Sequence, residues 1–279
     1  MRTQWTVAGV QFDCQLGQAR KNLATMLGAT AELAARGAHL IVFPEAALSG
    51  YCYPSKAQAL AHAETLPGPS TAAFAEVCAR HDVHVIFGMI EGEGDDLYNA
   101  AALVGPNGLV ASYRKTHLPY LGVDRFVTPG QRPFAVHDLG GLKVGMLICF
   151  DGSIPEAPRV LSLLGADLIV LPTNWPTGAR CSAAHLAPMR AHENHVYFMA
   201  VNRVGTEGGF TFIGQSRVVD WDGTTLAQAG DGPETFMATL EPAKARQKRV
   251  IFVPGEYELD RIHGRRPELY GPLVAAKLP

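Results

Sequence analysis

Leu142-Lys143-Val144-Gly145-Met146-Leu147-Ile148-Cys149-Phe150-Asp151-Gly152-Ser153-Ile154-Pro155-Glu156 is the stretch from which the rest of the chain can be read outward. An apolar run from Val144 to Ile148 stops at Cys149, and acidic, glycine and proline residues follow at once. That is the pattern of a buried strand ending in a sharp turn. Ser153 and Glu156 stand three apart, as in a capping box, so a helix is expected just after the turn. Pro158 is comfortable only in a first helical turn, which puts the start near Ala157. Strand, cysteine, turn and helix in that order would set a thiol beside a positive helix end, where a thiolate is favoured. Taken alone, a cysteine closing an apolar strand is more often a small core residue. The reading therefore depends on what other strand ends supply.

The same grammar recurs along the chain. Residues 5–12 are β-prone, residues 21–36 carry Leu23, Met26, Leu27 and Leu33 at helical spacing, and Gly37 ends that helix. An apolar strand over 39–43 then stops at Pro44-Glu45, completing a β-α-β unit. Ser70 can cap a helix running to about Arg80, and residues 83–90 read as a strand. Strands 97–104 and 109–113 flank Gly105-Pro106-Asn107-Gly108, a hairpin signal. After Cys149 come a helix to 164, a strand over 166–171, a helix over 183–194 weakened by Pro188, and a strand over 196–201. A second hairpin turns at Asp222-Gly223, and residues 236–240 form a last strand. Strand–helix alternation mixed with hairpins predicts an α/β protein with two mixed sheets covered by helices. No linker or composition shift interrupts residues 1–240, so one domain, taken as 1–250, is expected. The charged, proline-punctuated remainder, 251–279, reads as an arm that packs at a subunit interface, since such a segment would be unstable alone.

Composition narrows the function classes. The chain has 279 residues, 47% apolar and 18% charged, with a formal net charge of −2, which fits an ordinary globule and offers nothing to a polyanion. Arg261, Arg265 and Arg266 read as a solvated tail or subunit contact rather than a nucleic-acid surface. Five cysteines at irregular spacing, with no Cys-x-x-Cys, argue against a disulfide framework or a structural zinc site. Arg2, Gln4 and Asp13 interrupt any signal-like opening, and no segment has the length and apolarity of a membrane span. The expectation is a reduced, cytoplasmic protein with no nucleic-acid or membrane partner.

Three polar residues occupy equivalent places: Glu45, Lys115 and Cys149 each follow a predicted strand. Ligand sites of open α/β sheets lie beyond the carboxyl ends of strands. Singly, these residues read as a turn carboxylate, a solvated cation and a core thiol. Together they form a complete set. A neutral thiol needs a base, a buried carboxylate can be one, and an ammonium can stabilise the oxyanion of a tetrahedral intermediate. Rival readings are a Cys–His hydrolase using His117 or His185 and a metal-dependent phosphoesterase drawing on Glu45, Asp151, His185 and His192, whose spacing forms no ligand cluster. A third rival, a binding or assembly protein on an inactive hydrolase fold, leaves the intact set unexplained.

Phe43-Pro44-Glu45 with Gly50-Tyr51, Tyr113-Arg114-Lys115-Thr116-His117-Leu118, and Cys149-Phe150-Asp151 with Pro155-Glu156 resemble the three signature segments of the nitrilase (carbon–nitrogen hydrolase) superfamily. Pro172-Thr173-Asn174-Trp175 and residues 190–194 share the likeness, which covers roughly residues 5–240. The resemblance implies a four-layer α-β-β-α sandwich, a homodimer or larger homo-oligomer, no metal or organic cofactor, and a Glu-Lys-Cys triad. Carried over by position, Glu45 would be general base, Lys115 the oxyanion cation, Cys149 the nucleophile and the Phe150 N–H a second oxyanion donor. Cys-Phe-Asp, where nitrilases proper have Cys-Trp-Glu, looks like the amidase and carbamoylase branches. An amidase making carboxylate and ammonia from a small carboxamide is thus expected, with an N-carbamoyl amino acid amidohydrolase or a nitrilase as alternatives. Two departures stand out. Ser153 replaces an arginine common among relatives, and Asp124 stands where relatives often have a second glutamate. Asp124 is either a partner of Lys115 or substrate, or half of a turn pair with Arg125. Tyr51, Asn174 and Trp175 are candidate pocket walls, and His117 is read as a structural hydrogen-bonder.

Overall fold

The structure is a computed structural model that describes residues 2–275; Met1 and the last four residues of the arm, 276–279, lie outside the described residues. The first half runs β1 (Trp5–Gln11), α1 (Ala19–Ala35), β2 (Leu40–Val42), α2 (Lys56–Leu60), α3 (Pro69–His81), β3 (His84–Glu93), β4 (Asp96–Gly105) and β5 (Gly108–Arg114). The second runs β6 (Val136–Asp138), β7 (Lys143–Met146), α4 (Glu156–Leu163), β8 (Leu168–Thr173), α5 (Arg180–Asn194), β9 (Tyr197–Asn202), β10 (Val204–Glu207), β11 (Phe210–Ile213), β12 (Arg217–Val219) and β13 (Thr225–Gln228). Then follow β14 (Glu234–Leu240), α6 (Pro242–Arg246), the hairpin β15 (Arg249–Val253) and β16 (Tyr257–Asp260), and α7 (Gly271–Val274).

Two six-stranded mixed sheets form, in the orders β14-β1-β2-β3-β4-β5 and β6-β7-β8-β9-β12-β13. Each has three adjacent parallel strands, β1-β2-β3 or β7-β8-β9, extended by an antiparallel pair and closed on the other edge by one antiparallel strand. Alternation along the strands builds the layers. Val7, Leu40, Val42 and Ile86 of the first sheet meet Val144, Met146, Leu168 and Val170 of the second in one inter-sheet core. The alternate residues of each strand point outward. Ala8, Ile41 and Phe43 pack under Met26, Leu33 and Phe74 of α1 and α3. Ile169 and Leu171 pack under Leu161, Ala183 and Ala187 of α4 and α5. The result is the expected α-β-β-α sandwich. Both faces of the central strands are dry, which is why they read as continuous apolar runs.

Several local expectations change. Ser153 does not cap α4. It ends a 3-10 turn, Cys149–Ser153, and Pro155 precedes the helix, because the carboxylate of Asp151 takes the Ile148 N–H and tightens the turn first. Helix α3 starts one residue before Ser70, which instead bonds Glu64 through both its N–H and its hydroxyl. Helix α5 is longer than expected and runs through Pro188. A proline there removes the N–H that Ala184 O would accept, and the Arg217 guanidinium donates to that carbonyl instead, at 3.1 Å. The arm is not shapeless. Its hairpin begins at Arg249, and Arg261 reaches His192 on α5. Among the described residues, no helix is long and apolar enough to cross a membrane.

Candidate active site

Glu45 sits just past β2 in a loop held on β3 by backbone bonds from Gly88 N to Pro44 O and from Leu48 N to Gly88 O. The approach is so close that a β-carbon at Gly88 would lie 2.6 Å from Glu45 Cα and 2.3 Å from Ala46 N, so only glycine fits there. Ala46, with φ +48°, turns the loop sharply. Lys115 follows β5, its N–H bonded to Asn99 O on β4. The turn Gly122–Arg125 brings in Asp124, and Gly122 lies so close to the Tyr51 ring that a β-carbon would meet it at 2.3 Å.

These residues meet in a buried cluster. Lys115 Nζ donates to Glu45 Oε1 at 2.7 Å and to Asp124 Oδ2 at 2.5 Å, with all three side chains fully buried. Asn99 Nδ2 donates to Glu45 Oε1 at 2.7 Å and to Asp124 Oδ1 at 2.8 Å. Tyr51 Oη donates to Asp124 Oδ2 at 2.8 Å and lies 3.0 Å from Leu121 O, which competes for the same hydrogen. Both oxygens of Asp124 are therefore engaged, whereas Glu45 Oε2 has no partner. An ammonium has three donors, and Lys115 commits two of them here. Of the two sequence readings of Asp124, the Lys115 partnership is the one the geometry shows. Arg125 instead donates to Gly122 O and Tyr53 O.

Cys149 comes from the other sheet, beyond β7, with φ +45° in the left-handed region. Such a conformation costs about 1–3 kcal/mol and persists only when the surroundings enforce it. Asp151 does the enforcing. It is fully buried and accepts from Ile148 N–H, Tyr113 Oη, Thr116 Oγ1 and His117 N–H at 2.8–3.1 Å. His117 Nδ1 adds a contact to Asp151 Oδ1 at 2.7 Å. One carboxylate thus ties the cysteine turn to the segment following Lys115. Arg190 of α5 braces the far side by donating to Gly152 O and Ser153 O. Beside Cys149, at the end of parallel strand β8, lie Thr173 and Asn174, whose Oγ1, Oδ1 and Nδ2 are buried without partners.

The electrostatics follow from burial and proximity. Burial, then the Glu45 charge, pushes the Cys149 thiol up to about 12, with Lys115 pulling the other way. This push runs against the helix-end effect expected from the sequence. Desolvation outweighs the end of a single 3-10 turn and favours the neutral form of the sulfur. Burial also raises Glu45 above the usual carboxylate range, against the pull of Lys115. Burial alone would lower Lys115, but Glu45 and Asp124 outweigh it and hold the ammonium charged. Cys149 keeps part of its surface open to solvent.

The other candidates divide. Tyr51 joins the cluster and is itself buried. Phe150 is 38% exposed next to the sulfur-bearing residue. Trp175 lies in the core under α5, its N–H held by Asn202 Oδ1 at 2.8 Å. His117 is engaged by Asp151 and His185 is exposed on α5, so neither forms a Cys–His pair. The phosphoesterase ligands do not gather either. Asp151 lies under the cysteine turn, while His192 bonds Asp222 O and Arg261. Among the described residues, no group of three or more His, Cys, Asp or Glu is arranged to hold a metal. Sequence reading missed Asn99 and saw Asp151 only as a metal ligand in the phosphoesterase reading, not as the anchor of the cysteine turn. The available signal for Asn99 was one amide inside the apolar run Leu97 to Val104.

Known proteins resemble this chain over most of its length. The carbon-nitrogen hydrolase family model matches residues 6–250. A nitrilase from Pyrococcus abyssi is 37% identical over 246 residues, 88% of this chain and 92% of that one. An (R)-stereoselective amidase from Pseudomonas sp is 37% identical over 275 residues, 94% of this chain and 97% of that one. The solved structure of a glutamate-to-glutamine variant of the amidase from Nesterenkonia sp. AN1, with acrylamide added at its active-site cysteine, superposes with a TM-score of 0.80 at 25% identity, covering 97% of this chain and 100% of that one.

Proposed function

This chain belongs to the carbon–nitrogen hydrolase family, and from that premise we propose that it is an amidase converting a small carboxamide to carboxylate and ammonia through a thioester on Cys149. The family supplies an enzyme of amidase or nitrilase type. The observation that carries the finer reading is the asymmetric cluster: a lysine ammonium bonded to two buried carboxylates, and a glutamate with one oxygen engaged and one uncommitted, alongside a partly exposed cysteine.

The chemistry runs on those groups. Glu45 Oε2 takes the Cys149 proton as Sγ attacks the amide carbon. The third N–H of Lys115 and the Phe150 N–H stabilise the oxyanion. Glu45 then passes its proton to the departing nitrogen, and ammonia leaves an acyl-Cys149 thioester. Glu45 next activates water, which hydrolyses the thioester and restores the thiol. The balance is R–CO–NH2 plus H2O giving R–COOH plus NH3. Asp124 holds the ammonium from its second side, and Tyr51 and Asn174 shape the pocket, with the unpartnered Asn174 amide facing a polar substrate group, while Trp175 backs the site from the core under α5. No metal or organic cofactor takes part in this scheme.

The test is ammonia release from a panel of primary amides, N-carbamoyl amino acids and nitriles. The amidase reading expects the primary amides to turn over fastest. Turnover of nitriles alone, the activity named for the Pyrococcus abyssi relative, would overturn it, as would turnover of carbamoyl compounds alone. The substrate is thus a small molecule. In the same reading the protein acts as a homodimer or larger homo-oligomer, with the 251–279 arm across a subunit boundary. Exposed Phe252, Tyr257, Leu269 and Leu273 support this. Deleting the arm should lower the sedimentation coefficient by more than its own mass explains, and an unchanged oligomer counts against it.

A further inference from the structure

We propose that Asn99 is a positioning residue for the hydrolytic reaction: its amide holds two carboxylates around one ammonium so that Glu45 keeps a single oxygen free to act as base. The inference rests on the reading of Glu45 as the base.

Glu45, Asp124 and Lys115 sum to one negative charge in a site with no exposed side-chain surface. Two carboxylates flanking a single ammonium repel each other, and the repulsion is strongest where solvent is absent. The Asn99 NH2 group lies in position to relieve it, donating one hydrogen to each carboxylate. The direction of the amide is set by its neighbours. Reversed, its carbonyl would face two anionic oxygens, and no carbonyl accepts from a carboxylate. The chosen direction leaves Asn99 Oδ1 buried without a partner, an unfavourable arrangement that goes with satisfying both carboxylates at once. The same residue fixes the backbone, because Asn99 O accepts the Lys115 N–H at 2.8 Å. Asn99 therefore sets both where the lysine starts and where its two partners end.

The consequence is selective. With Asn99 and Lys115 both on Oε1, Glu45 cannot rotate to engage both oxygens, so Oε2 remains open. The titratable groups facing Glu45 are Lys115 from the end of β5, Asp124 from the following turn, Cys149 from the second sheet, and Tyr51 and Cys52 from its own loop. Asn99 is the neutral donor among them. Its loss removes stabilisation from ionised Glu45 and leaves the neighbouring charges unchanged.

The experiment is the pH profile of kcat/KM for N99L and N99D beside the unaltered protein, with Glu45→Gln as reference. Leucine keeps the branched shape and removes the donor. The acid limb should move up by about one to two pH units, and kcat should fall more than KM rises. Protonated aspartate still carries a donor and ionised aspartate repels, so N99D should lose activity as pH rises where the unaltered protein holds it. An N99L limb that coincides with the original, in protein whose thermal unfolding shows it folded, would overturn the proposal. If N99L does not fold, N99D decides alone, and an unshifted profile overturns it. Failure of the base reading looks different: Glu45→Gln would keep its activity whatever Asn99 does.

Discussion

Two of the buried ion clusters among the described residues differ in one respect: the one around Arg203 is complete and the one around Lys115 is not. Around Arg203, at the junction of β9 and β10, everything is matched. Its guanidinium donates to Glu207, Asp13 and Cys14 O, and Glu207 Oε1 in turn accepts the N–H groups of Tyr51 and Cys52. Around Lys115 the accounting stops short, with Glu45 Oε2, Asn99 Oδ1 and both polar atoms of Asn174 unpartnered. Buried polar groups are normally satisfied, because each lost partner costs about 1–3 kcal/mol. A saturated cluster is a fastening; an unsaturated one is a place where something else binds or reacts. The two are joined through Tyr51, whose backbone is held by the first and whose hydroxyl belongs to the second.

Variants sharpen that contrast, and the largest effect is expected at the sulfur. Cys149→Ala should lower kcat by about 10⁴-fold or more while urea unfolding stays near the unaltered midpoint, since one partly open thiol contributes little packing. Glu45→Gln comes next, with a loss of about 10²–10⁴-fold and a distinctive sign. The Glu45 charge raises the Cys149 thiol, so removing that charge lets the thiol ionise at lower pH even as turnover falls. Alkylation by iodoacetamide across pH would read this. In the unaltered protein activity should fall on acidification through the raised Glu45 value, because only the ionised carboxylate is a base. Gly88→Ala should cost up to about 10²-fold in kcat/KM, because its β-carbon displaces Glu45 without touching the chemistry. The smallest effect on turnover belongs to the saturated cluster. Glu207→Ala should lower unfolding free energy by about 3–5 kcal/mol, with kcat of the molecules that remain folded changed far less than in either cluster variant. A catalytic collapse there with stability intact would erase the distinction between fastening and site.

The parts legible in the sequence were those written as interruptions of apolar runs. Central strands buried on both faces give unbroken hydrophobic stretches, so the residue that breaks each one, Glu45 or Cys149, announces a strand end. The resemblance to known signature segments then attached roles to them. The local cap at Ser153 misled because Asp151, closer to Cys149, had a buried carboxylate able to reach five donors across two segments, a fact invisible from spacing. The upward push on the Cys149 thiol was hidden for a similar reason, since a helix end is visible in sequence and the depth of burial is not. Asn99 and the Arg203 cluster stayed hidden because each has a partner far off in the chain, Glu45 at 54 positions and Asp13 at 190. Long-range pairing leaves no periodicity.

The central claim is that Glu45, Lys115 and Cys149 form one working site, and its most direct test is intact mass spectrometry of acid-quenched reactions with a small primary amide. The account predicts an added acyl mass on the peptide that carries Cys149, absent from Cys149→Ala and strongly reduced in Glu45→Gln. Steady hydrolysis by Cys149→Ala, or an acyl group found on another residue, would contradict it.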